Sequence, residues 1–307
     1  MKPSTNLEQP LTPTNSRLHV LRRHPLFCFF LLAFGLTWVY ELLVFALLHL
    51  PLLPWGVPLA IVGPTLAAFI MTSVTGGRSG VLRLLRRCVL WRVGLQWYLF
   101  ALLGIPAIIL LSFLVLPGGI AAFRAPAPAL VLSYLASYIV IFLVGGPLFE
   151  EPGWRGFALP RLQQRSGALV GSLILGVLWS LWHLPLFLFV PGYDGAGSGF
   201  AGISIPFAEF VISIVAGTCI ITWVFNNTRG SLLLAMLLHA SVNTASGSAP
   251  ATPLVILSRS ICFVVVALLI IAATRGRLGY QRSQRETTLP TSRTEREQEP
   301  GTAHPSV

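Results

Sequence analysis

A run of apolar residues from Phe27 to Leu50 is long enough to cross a bilayer as a helix, and similar runs recur along the chain. A hydrocarbon core of roughly 30 Å takes about 20 helical residues, and lipid offers no partner to an unpaired backbone N–H or C=O. The further runs are Val57–Met71, about Trp97–Leu116, about Leu130–Phe149, Gly167–Val190, about Ile203–Phe225, Ser231 to about Ala245, and about Leu254–Ala272. The expected fold is therefore all-α, a polytopic transmembrane helix bundle of about eight spans. Residues 1–24 form a polar, basic tail, 25–273 the membrane domain, and 274–307 a polar tail rich in Thr, Arg and Glu. Both tails are expected to be disordered. The first apolar run is too long for a cleavable signal and ends in no clear small-residue cleavage site.

Only 10% of residues are charged and 54% are hydrophobic, whereas a soluble domain is about one quarter charged. A net charge of +11 would suggest nucleic acid in a soluble chain. Here the arginines sit between apolar runs, as orientation signals do. No nucleic-acid partner is expected; the partner is the bilayer. Residues Thr72–Arg92 alternate leucines with arginines at near-helical spacing, which suits an amphipathic segment on an anionic leaflet. Eight crossings put both termini on one side, together with that connector, Arg155, Arg161, Arg165 and Arg229. The other side receives Arg124, Arg259 and Asp194. That asymmetry makes the expected location the cell membrane, with both termini cytoplasmic. Cys28, Cys88, Cys219 and Cys262 are dispersed, form no CxxC pair, and read as small buried hydrophobes.

Against this background a few polar groups stand out. Glu150-Glu151-Pro152-Gly153-Trp154-Arg155 follows an almost uncharged run and marks the expected inner end of the fourth span. A carboxylate near hydrocarbon costs on the order of several kcal/mol to keep charged. Adjacent helical residues point about 100° apart, so the two glutamates cannot share a direction. Glu151 and Arg155 have the i, i+4 spacing of an ion pair, which leaves Glu150 to face a site. Trp179 and His183 lie one turn apart on the fifth span, and His239 and Asn243 share a face of the seventh. Each also has a structural reading: an interfacial carboxylate, a hydrogen-bonded interior histidine, a polar contact between helices. Glu41 and Glu209 also lie inside apolar runs, either lining a cavity or paired with a partner. By residue counting His183 falls far along its span while Glu150 is near an inner end, so one helix must be tilted or broken.

These groups together suit hydrolysis. Peptide cleavage needs an activated water, a base for its proton and donors for the oxyanion. Glu150 can take the proton, His183 can share the water, and His239 with Asn243 can hold the oxyanion. Glu150, His183 and His239 could instead bind zinc or another divalent metal, a carboxylate and two histidines being a common catalytic set. The compact HExxH signature is absent, as are a serine elbow, a dinucleotide fingerprint and a P-loop.

The set Glu150-Glu151-x-x-x-Arg155, Trp179-x-x-x-His183 and His239-x-x-x-Asn243, in that order, resembles the CPBP family of intramembrane proteases, also called the type II CAAX prenyl endopeptidase or Abi family. Asn227-Thr228-Arg229-Gly230-Ser231 resembles it too. The resemblance covers about residues 130–245. It implies that Glu150 activates water with help from His183, that His239 and Asn243 form the oxyanion site, and that Glu151 and Arg155 support them. It implies a membrane-associated peptide or protein substrate, with CAAX processing one form of that activity, by a metal-free or a metal-dependent route. Trp179 stands where the family commonly has phenylalanine and is expected to act as an aromatic wall. The competing reading is a non-catalytic immunity or scaffold protein that binds a bacteriocin or other partner.

Overall fold

The computed structural model describes residues 14–51, 56–122, 128–195, 199–248 and 252–281. Among these the regular elements are all helical. Helix α1 is Thr14–Arg23 and α2 is Pro25–Leu47. A short turn, Val57–Ile61, precedes α3, Gly63–Cys88. Then follow α4 (Leu95–Leu114), α5 (Pro128–Ser166) and α6 (Ala168–Phe189). The last three are α7 (Gly199–Asn227), α8 (Leu232–Ser248) and α9 (Pro253–Ala273). By length and composition six of the helices can cross a membrane: α2, α4, α5, α6, α7 and α9. The protein is a polytopic all-α bundle. Helix α8, with Leu232, Leu234, Met236 and Leu238 all buried, occupies the interior, as a helix apolar on every side should. The first part of α5 has no buried residue and turns its leucines and valines outward, towards lipid.

The expected end of the fourth span at Phe149 is not there. Helix Pro128–Val144 gives way to a bend at Gly145 and Gly146, and helix resumes at Pro147 and runs on to Ser166. Pro152 would cost an ordinary α-helix a hydrogen bond and clash with the preceding turn. The chain meets this by winding Pro152–Ala158 as a wider π-helix, a local insertion often found at functional sites. About 24 Å of helix then separates Glu150 from Ser166 if each residue rises ~1.5 Å. Glu150 is thus deep in the bundle, and the expected mismatch with His183 disappears. The connector after Met71 is helical as well: α3 breaks at Gly77, whose φ of 58° and ψ of −159° are not helical, and a second helical segment then carries Arg83, Arg86 and Arg87 to Cys88.

One end of the bundle is stitched together by arginines and amides. Arg22 donates to the Val74 carbonyl at 3.1 Å and Arg87 to that of Gly230 at 2.9 Å. Arg229 donates to the Arg92 carbonyl. Gln163 and Asn226 bond reciprocally, and Asn226 also donates to the Leu278 carbonyl at 2.9 Å. Leu278 is buried. The packed domain therefore reaches past the expected limit of 273, as far as this turn, and residues 14–23 before the expected limit of 25 are helical. The remainder of both expected tails, 1–13 and 282–307, and Arg124 lie outside the described residues.

Candidate active site

Helices α5 to α9, with the short turn Val57–Ile61, converge on one cavity of about 530 Å³. Helix α5 brings Glu150, α6 brings Trp179 and His183, α7 brings Phe210 and Ile214, and α8 brings His239 and Asn243. The geometry gathers all four expected catalytic side chains, with Trp179, on its lining. Glu151 and Arg155 are fully buried behind it.

The Glu150 carboxylate is held by two indoles. Trp179 Nε1 donates to Glu150 Oε2 at 2.7 Å, and Trp154 Nε1 to the same oxygen at 3.3 Å. Its Oε1 lies against Gly146, whose φ of 120° is a conformation for which glycine is suited. A Cβ at Gly146 would stand 2.6 Å from Oε1 and 3.8 Å from Asn243 Nδ2, so the missing side chain keeps open the space between carboxylate and amide.

Glu151 turns the other way. Its Oε1 accepts from Arg155 Nη1 at 2.9 Å and lies 2.9 Å from His239 Nδ1. Two donors on one oxygen compensate the burial of this charge, which alone would be costly. Arg155 also reaches Thr218 Oγ1 at 3.5 Å and lies 4.3 Å from the centre of the Trp179 ring. His183 Nδ1 is 2.9 Å from the Trp179 carbonyl. A carbonyl and a carboxylate only accept, so each Nδ1 is an N–H donor and each Nε2 is left for other chemistry. Asn243 Nδ2 makes one long bond, 3.3 Å, to the Gly145 carbonyl.

The metal expectation does not match this arrangement. Among the described residues no three His, Cys, Asp or Glu side chains lie where they could share an ion. Glu150 Oε2 faces two indole donors, while the two histidines, with Nδ1 donated, keep Nε2 free to face a site.

Glu41 and Glu209 part company. Glu209 accepts from Ser213 at 3.0 Å, and Ser213 meets Ser260 at 2.6 Å. Glu41 is fully buried, and neither carboxyl oxygen has a partner among the described residues. It lies within electrostatic range of Glu150. At the cavity mouth, burial and the nearby Asp194 carboxylate push the Tyr193 phenol well above its ordinary range, leaving a neutral hydroxyl.

Three contributors escaped the sequence reading. Trp154 falls within the motif that was singled out, but nothing in its spacing says that its N–H bonds Glu150, four residues earlier. Gly146 had a weak signal, the Gly145-Gly146-Pro147 break before the glutamates. The Glu151–His239 contact joins residues 88 apart, and no local pattern encodes it.

Residues 131–245 match the family described as Type II CAAX prenyl endopeptidase Rce1-like. The chain is also similar to the CAAX prenyl protease 2 of Methanococcus maripaludis, 35% identical over 146 residues, which is 45% of this chain and 51% of that protein. The chain thus spans about half the length of the curated relative it matches.

Proposed function

We propose that this chain is a peptidase of the CPBP, type II CAAX prenyl endopeptidase kind, which the match of residues 131–245 and the 35% identical relative support, and that it hydrolyses a peptide bond in a membrane-associated protein or peptide, with Glu150 as the base. The observation that carries this reading is the position of Glu150: a buried carboxylate, fixed by two indole N–H groups, on a cavity it shares with His183, His239 and Asn243.

The steps follow from what each atom can do. Glu150 takes a proton from a water that also bonds to His183 Nε2. The hydroxide adds to the scissile carbonyl carbon, and the carbonyl oxygen becomes an oxyanion. The second N–H of Asn243 and Nε2–H of His239 donate to it. His239 donates there as an imidazolium, and the Glu151 carboxylate against Nδ1 balances its charge. The C–N bond then breaks, and the proton held by Glu150 passes to the departing amine. A new carboxyl and a new amine result. No step is routed through a metal.

The test is cleavage of a quenched fluorescent peptide by the purified protein beside its Glu150→Ala and His239→Ala variants, with and without a chelator. Glu150→Ala is expected to reduce the rate by at least ~100-fold, the scale of general-base catalysis, while the variant still inserts and elutes as wild type. A cleavage rate that ignores both substitutions overturns the role given to Glu150, and no cleavage even by the wild type points instead to a protein that binds its partner without cutting it. The chelator is expected to change nothing. Loss of activity that zinc restores would overturn the metal-free route.

A further inference from the structure

The cavity and the arginines lie at opposite ends of the bundle. The rim of the cavity is made by Gly192 and Asp194 after α6 and by Gly247 at the end of α8, all three exposed. Arg259, near the start of α9, lies just inside. These positions are where α6 and α8 finish and α9 begins. The arginine-rich end is the reverse: the end of α3, the turn between α7 and α8, and the residues after α9, tied together by Arg87, Asn226 and Arg229.

Between the site and the arginine end the protein is solid. Glu151, Arg155, Phe157, Leu232, Ala235 and Met236 are each at most 1% exposed. The Glu151–Arg155–His239 cluster is the floor of the cavity, and α8 and the π-helical stretch of α5 close everything beneath it. A substrate cannot arrive from that end without unpacking the bundle.

Charge orients the whole. Arg22, Arg23, Arg78, Arg83, Arg86, Arg87, Arg92, Arg165 and Arg229 gather at the closed end, whereas among the described residues the open end holds Arg259 and the acid Asp194. Short basic segments stay on the cytoplasmic side of a membrane.

We propose that the cavity opens on the extracytoplasmic face, and that the substrate is a peptide segment of an exported or membrane-anchored chain, presented at the outer leaflet. The lining suits such a segment: Phe210, Ile214 and Ile256 supply apolar walls, and Asp194 and Arg259 supply polar groups near the rim. The word substrate rests on the peptidase reading above; the orientation does not.

Cysteine labelling tests it. Gly247→Cys puts a thiol on the rim, where the ideal Cβ meets nothing within 4 Å. Arg86→Cys puts one at the closed end. Intact cells producing each full-length variant are treated with a membrane-impermeant maleimide, with the wild type and its four cysteines as background. Gly247→Cys is expected to label in intact cells, at least five-fold above background, and Arg86→Cys only after permeabilisation. Leu254→Cys, on the exposed first turn of α9, repeats the measurement should Gly247→Cys fail to accumulate. The reverse pattern, or equal labelling of both ends in intact cells, overturns the proposal. Labelling reports orientation whether or not a peptide is cut. A failure of the peptidase reading shows itself separately, as equal behaviour of the wild type and Glu150→Ala with peptide.

Discussion

Trp179 touches Glu150, His183 and His239, three of the groups the proposed mechanism uses. Its N–H holds Glu150 at 2.7 Å, its ring lies under Arg155 and edge-on to His239 with centroids 5.1 Å apart, and its carbonyl fixes His183. Phenylalanine would keep the ring contacts and the carbonyl but lose the donor. A hydrogen bond to a charged group contributes about 1.5–3 kcal/mol, so Trp179→Phe should lower kcat by about 10- to 100-fold with little change in KM. The measurement is steady-state kinetics on the purified variant. A rise in KM with kcat unchanged would assign Trp179 to substrate contact rather than to positioning of Glu150. Glu151 gives the contrasting case. Replacing it with alanine strands Arg155, which is wholly buried, and a stranded charge costs about 3–5 kcal/mol. Thermal unfolding in detergent should therefore show Glu151→Ala well below wild type. The double variant Glu151→Leu/Arg155→Met removes both charges and should recover most of that loss, although the oxyanion role proposed for His239 would then lack its counter-charge. Recovery of stability without recovery of activity is the expected signature.

At the scale of helices, the decisive device is the way α5 passes its proline. The i, i+4 pairs on which the site depends were readable from spacing alone: Glu151 with Arg155, Trp179 with His183, His239 with Asn243. A helix imposes those neighbours wherever it forms. The continuation of α5 was not readable, because Pro152 and Gly153 are ordinary signs of a helix end and only tertiary packing rewards the π-helical stretch. Gly153 shows how. A Cβ there would stand 2.6 Å from Pro64 at the start of α3, so glycine lets the two helices touch backbone to backbone. Nor could spacing show that Glu151 meets His239, since that contact depends on how α5 and α8 are set against each other. Gly153→Ala should force α3 and α5 apart and cost about 1–3 kcal/mol, the usual penalty of overpacking. Gly146→Ala acts on the same helix by another route. It places a side chain at φ 120° and against Glu150 Oε1, so activity should fall further than stability. Comparing the two variants by unfolding temperature and by peptide cleavage separates packing from chemistry: Gly153→Ala should lose more of the first, Gly146→Ala more of the second.

Taken as a whole, the molecule uses its arginines in two ways, and the two can be separated by substitution. Arg87 is structural. It bonds the Gly230 carbonyl at 2.9 Å and lies 4.8 Å from the centre of the Phe225 ring, so it joins α3 to the turn between α7 and α8. Arg78, Arg83, Arg86 and Arg165 are exposed at the same end, and among the described residues no bond from their guanidinium groups holds two helices together. In the proposed orientation their contribution is to the sum of positive charge that keeps this end in the cytoplasm, a sum that operates during insertion and is indifferent to which arginine supplies it. Arg87→Gln should therefore lower the unfolding temperature and leave orientation alone. The fourfold variant Arg78→Gln/Arg83→Gln/Arg86→Gln/Arg165→Gln should do the opposite, unfolding near the wild-type temperature once purified but inserting in mixed orientation. The readout is maleimide labelling of Gly247→Cys introduced into each background: near-complete in intact cells with Arg87→Gln, and only partial, completed by permeabilisation, with the fourfold change. A fourfold variant that stays fully labelled from outside would mean that apolar packing rather than charge sets the orientation.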